Sequence, residues 1–144
     1  MGNRIRLGLA IITVLYLFSC QRNNCSNAAK IEVSDLLYEY SQQHSNNYCE
    51  LLRKSVQGDR EAIKKLSLLR IDDAAGYDHG AVLVELVRFI GEEKYVSSII
   101  TITPAEKKTI RSYIDVGLEY EKSPNSGYKS IKTTFPSLYD FLNI

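Results

Sequence analysis

The sequence predicts an all-α domain, a compact and irregular stack of about five or six helices arranged as helical hairpins. Three observations lead there. Apolar residues recur at i, i+3, i+4 and i+7 in successive windows, the spacing of a helix that buries one face. Two helix starts are written in side chains that can accept from first-turn amides, Asp59 and Thr103. Turn formers separate the periodic windows at short intervals, at Gly58, at Asp72–Gly76 and across 122–132.

The first window holds Val33, Leu36, Leu37 and Tyr40, with His44 continuing the face. His44 reads as a boundary residue hydrogen-bonded in place rather than as a ligand. Ser41–Asn47 is polar, so a break near Asn46 is open. An unbroken helix is open too, because Tyr48, Leu51, Leu52 and Ser55 keep the phase up to Gly58. Asp59 then caps a helix whose inward set is Ala62, Ile63, Leu66 and Leu69, with Glu61 four residues before Lys65 as a surface pair.

Asp72-Asp73-Ala-Ala-Gly76 reads as a turn, with Asp78 capping the next helix and His79 in its first turn. From Ala81 to Ile90 only Glu85 and Arg88 are charged. With Glu92 they form one narrow wet stripe on a helix otherwise covered, which makes it the central element of the core. Gly91 loosens or breaks that helix. Glu92–Ile102 is expected to be helical to about Thr101, although its β-branched end also suits extended chain. Thr103-Pro104-Ala105-Glu106 is a capping box with proline at the first helical position. The helix it opens should run to about Glu121, burying Ile110, Tyr113, Ile114, Gly117 and Leu118. Gly117 lacks a Cβ, so another helix can approach there. Residues 122–132 read as a loop. A short terminal helix from Pro136 brings Leu138, Phe141 and Leu142 to the core.

Ahead of the body, Arg4 and Arg6 precede a 12-residue apolar run over residues 7–18. A bilayer-spanning helix needs about 20 residues, so the run has the length of an export signal's core. It ends at Leu17-Phe18-Ser19-Cys20, which resembles the bacterial lipobox. Phe18 is bulkier than that pattern usually has. The resemblance implies a cleaved signal over 1–19 and a diacylglyceryl group on the Cys20 thiol. It implies a lipidated flexible tether over 20–30, a single helical domain over 31–144, and a body exported from the cytoplasm and held to a membrane of the cell envelope. Gln21 stands where an Asp is an inner-membrane retention signal in some bacteria, which favours the outer membrane. An ordinary secretory signal, with Cys20 a free thiol, and an uncleaved short anchor are the competing readings. In the body, Gly58-Asp59-Arg-Glu-Ala62-Ile63-Lys-Lys-Leu66 is similar to the start of a HEAT-type repeat; no second copy follows at a fixed period.

Composition narrows the function classes. The whole chain carries a formal charge of +1, and losing Arg4 and Arg6 with the signal leaves −1 on residues 20–144. A near-neutral body offers no electrostatic basis for nucleic-acid binding. Of the three cysteines, Cys20 is assigned to lipid; Cys25 and Cys49 are a candidate disulfide in an exported protein, or both stay reduced. Asp72, Asp73, Asp78 and His79 are the densest polar cluster, but no calcium loop or zinc-helix spacing accompanies them, and capping is the simpler reading. No glycine-rich phosphate loop and no nucleophile elbow occurs. Cys49 and His44 are out of helical phase. No catalytic residue, metal site or cofactor is therefore expected. The expected role is a non-enzymatic protein-binding lipoprotein, such as an immunity protein that blocks a toxin. The alternatives are an assembly lipoprotein of an envelope complex and, less favoured, a cell-wall or glycan-active enzyme.

Overall fold

The computed structural model describes residues 25, 30–44, 47–120 and 129–143, and the fold is stated for these. The segment 1–19, Cys20 and loop residues 121–128 lie outside the described residues. Among the described residues there are eight helices and no strand. They are α1 (Asp35–Gln43), α2 (Tyr48–Val56), α3 (Arg60–Ser67), α4 (Asp73–Ile90), α5 (Glu92–Ile99), α6 (Pro104–Glu119), α7 (Ile131–Thr134) and α8 (Pro136–Leu142). None is long and apolar enough to cross a membrane.

Residues 33–57 form two helices, not one. Ser34 caps α1 by accepting from the Leu37 amide at 3.1 Å. The α1 face is narrower than its spacing suggests: Leu37 is fully buried, while Leu36 is 48 % exposed. His44 is also exposed, at the C-terminal cap, stacked on Tyr40 and bonded through Nδ1 to the Tyr40 carbonyl at 2.9 Å. It is held in place as expected, but off the buried face, because the helix stops one residue before it.

Asp59 caps α3, accepting from the Ala62 amide at 3.0 Å. Ala62, Ile63 and Leu66 are buried and Leu69 is half-buried. The Thr103–Glu106 capping box forms in both directions, Glu106 Oε2 accepting from the Thr103 amide at 2.7 Å. That bond, with a second donated to the same oxygen by the Thr103 hydroxyl at 2.9 Å, holds the Glu106 carboxyl below its ordinary pKa. Gly91, at φ +86°, separates α4 from α5 in a backbone conformation that favours glycine.

The main departure from the sequence reading is α4. It begins at Asp73, so the expected turn at 72–76 is helix and Asp78 lies inside α4 instead of capping it. The glycines there serve a different purpose. A Cβ on Gly80 would sit 2.4 Å from the Tyr113 carbonyl oxygen, and one on Gly117 would sit 2.3 Å from the Gly80 carbonyl oxygen. A Cβ on Gly76 would sit 2.7 Å from the Ile71 oxygen. These glycines are points of backbone contact, and the helix tolerates them because α6 at Gly80, and Ile71 at Gly76, pack into the space they leave.

The α4–α6 pair is the spine. Leu83, Leu86 and Val87 of α4 and Ile110 and Ile114 of α6 are fully buried. Around them pack Leu52, Ile63, Leu66, Tyr95, Ile99 and, from α8, Leu138. The wet stripe is present: Glu85 and Arg88 are exposed and Glu92 accepts from the Leu138 amide at 3.1 Å. Residues 131 and 132, read as the end of the loop, instead open the short helix α7, started by Ser130 accepting from the Thr133 amide.

Candidate functional site

One face of α4 borders a groove of about 510 Å³. Tyr77, Ala81, Glu85 and Arg88 follow one another at helical spacing along it, and Asp78 and Val84 flank that line. From Tyr77 to Arg88 the groove runs about 16 Å, at 1.5 Å per residue. The segment carrying Glu32 and Ser34 forms one wall, and Gly117 and Tyr120 at the end of α6 form another. Small side chains at Ala81 and Gly117 keep the floor low.

The polar atoms are ordered across elements. The Ser34 hydroxyl donates to Asp78 Oδ2 while the same oxygen accepts from the Leu37 amide, so the cap of α1 also orients an α4 carboxylate. Tyr77 and Tyr120 lie ring to ring, centroids 5.1 Å apart, yet are 47 % and 59 % exposed. Leu36, Phe89 and Ile100 are exposed as well, but none of them lines the groove; among the described residues the two tyrosines are the large exposed hydrophobic side chains that do.

Behind the groove is a buried aromatic cluster. Tyr48 Oη and His79 Nδ1 share a hydrogen bond at 2.8 Å, and the His79 ring stands edge-on to Tyr113, centroids 4.8 Å apart. Tyr113 in turn accepts from the Ile71 amide at 3.0 Å and donates to its carbonyl at 3.1 Å. Burial lowers the His79 pKa to about 3 and, aided by nearby Asp78, raises that of Tyr48 well above its ordinary value. His79 is therefore neutral, and its Nε2 has no hydrogen-bond partner among the described residues. Its side chain is fully enclosed, at zero exposure.

Of the residues singled out in the sequence, Cys20 lies outside the described residues. Cys25 is fully buried and disulfide-bonded to Cys49 of α2, with Cα atoms 4.8 Å apart. The segment read as a flexible tether over 20–30 is thus held to the body at this position, and Cys49 offers no thiolate. The Asp72–His79 cluster is dispersed: Asp72 and Asp73 are exposed at the start of α4, Asp78 faces the groove and His79 faces the core. Among the described residues no group of three or more His, Cys, Asp or Glu is placed to hold a metal. The groove itself was not apparent from sequence. Its α4 residues share a face that the periodicity contains, but Glu32 and Tyr120 join them only through the fold.

Compared with known proteins, the chain matches no family model, no curated protein and no solved structure.

Proposed function

We propose that this chain is a membrane-anchored, non-enzymatic protein-binding module of the bacterial envelope, attached through an acylated Cys20 and binding its partner at the α4 groove. The observation that carries the binding role is the Tyr77–Tyr120 pair, two large amphipathic rings left in water at the rim of a concave surface. Tyrosine is enriched at the energetic centres of protein interfaces because it brings area and a polar tip with few rotatable bonds. This chain has no tryptophan to take that part. The anchor rests on the lipobox-like Leu17–Cys20. The particular version we favour is an immunity protein that intercepts a toxin near the membrane.

The two parts are tested separately. Cys20→Ser should abolish lipid labelling and membrane fractionation; retention of both sinks the anchor. A photo-crosslinking residue in place of Tyr77 or Tyr120 should give one discrete protein adduct in cells, and none from exposed Ser112 of α6. No adduct from either groove position overturns binding at the groove. For the immunity version, the adjacent gene's product is expressed in the periplasm with and without this protein. Toxicity that is unchanged by the protein excludes that version. A constitutive envelope complex, with envelope damage on deletion, would point to the assembly role instead.

A further inference from the structure

We infer that the groove recognises an arginine side chain of its protein partner, seated between the tyrosine rim and Asp78. This rests on the protein-binding reading above and gives it a chemistry.

Among the described residues, four charged side chains line the groove, three carboxylates (Glu32, Asp78 and Glu85) against one guanidinium (Arg88), a formal −2. The body as a whole is near neutral, so this sign belongs to the groove and not to the surface at large. A local negative field steers and selects cationic partners and disfavours phosphate-bearing lipids and nucleic acids. Glu85 and Arg88 already have partners within the chain, so the contact is assigned to Asp78 and the tyrosines. Asp78 is suited to it. The Ser34 hydroxyl fixes its orientation, and a carboxylate with about four acceptor positions keeps capacity after one such bond.

The aromatic pair selects the kind of cation. Tyr77 and Tyr120 keep much of their ring surface in water, and an exposed π-face attracts a cation brought over it. Guanidinium is planar. It stacks on a ring and forks onto a carboxylate at once, whereas an ammonium does neither in the same geometry. The volume of about 510 Å³ lies within the range of sites that enclose a side chain or small ligand.

The test uses the full chain in a zwitterionic detergent. Backbone amide shifts are followed during titration with N-acetyl-arginine amide, N-acetyl-lysine amide, N-acetyl-glutamate amide and tetramethylammonium chloride. The arginine probe should produce saturable shifts at Tyr77, Asp78 and Tyr120, with weaker shifts from lysine and none from glutamate. Asp78→Asn should weaken arginine binding about tenfold. Tyr120→Ala, outside the core, should weaken it about threefold and keeps the test sound if Asp78→Asn perturbs the Ser34 contact. The inference is overturned if arginine gives no saturable shift in the groove, if glutamate or tetramethylammonium matches it, or if Tyr120→Ala binds unchanged. No partner is needed for this titration. A crosslinked adduct at Tyr120 with no arginine binding therefore removes the chemistry and leaves the binding role standing.

Discussion

Replacing Gly117 by Ala probes the packing on which the fold depends. The new Cβ would lie 2.3 Å from the Gly80 carbonyl oxygen, 2.4 Å from its carbon and 2.9 Å from the Ala81 nitrogen. A carbon–oxygen contact normally sits at about 3.3 Å or beyond, so α4 and α6 must part by about 1 Å. All three atoms belong to backbone, so no rotamer change relieves the clash. Overpacking of this kind costs about 3 kcal/mol at the upper end of its usual range. Alanine returns about 1 kcal/mol through helix propensity, leaving a net loss of about 2 kcal/mol. In a domain of this size that lowers Tm by about 8 °C, read by circular dichroism at 222 nm on the full chain in detergent. Ser112→Ala, on the exposed side of α6, is the propensity control and should raise Tm slightly. Gly80→Ala meets the Tyr113 oxygen at 2.4 Å at the same crossing, so the double variant should lose less than the sum of the singles, by about 0.5 kcal/mol or more. A Gly117→Ala protein as stable as wild type, or more so, would refute the claim that these glycines exist for helix contact.

Breaking the Cys25–Cys49 bond, which spans 24 residues, should cost about 3 kcal/mol by the loop-entropy argument, seen as equal Tm losses for Cys25→Ser, Cys49→Ser and the reduced wild type. Unequal losses would mean that one cysteine contributes by packing alone. Asp59→Ala and Thr103→Ala should each cost about 1 kcal/mol in urea unfolding, while Asp59→Asn stays near wild type; an Ala variant at wild-type stability would count against the cap. Folded His79 takes its proton only near pH 3 while the unfolded side chain does so near 6.5. Between those values the unfolded chain holds the extra proton, so falling pH destabilises the fold by about 1.4 kcal/mol per unit. His79→Gln should remove that slope between pH 6 and 4, leaving the carboxylate contributions common to both proteins. Parallel stability–pH curves would contradict it.

Much of the helical layout is legible in the sequence because it is decided within a few residues. Asp59 and Thr103 satisfy amides three positions away, and Gly91 and Gly58 end helices by adopting positive φ themselves. The buried faces of α2, α3 and α6 follow from the 3.6-residue period. The short helix α7 escaped that reading because four residues, Ile131–Thr134, carry no period.

Other features depended on residues far apart in the chain. Gly76 and Gly80 resemble turn formers when read locally; the approach of α6 and of Ile71 makes them contact points within one long helix. Asp78 resembles a cap, and only the Ser34 hydroxyl 44 residues away shows it to be a groove residue. His79 resembles a member of a polar cluster until Tyr48 and Tyr113 enclose it. The sequence alone thus determined the export-signal and lipobox resemblance, the helical class, the caps at Asp59 and Thr103 and the breaks at Gly58 and Gly91, since each rests on covalent order and near-neighbour hydrogen bonding. Tertiary structure alone decided that Cys25 and Cys49 pair instead of staying reduced, which glycines touch and that Tyr77 and Tyr120 meet over a groove, because those depend on which segments pack together.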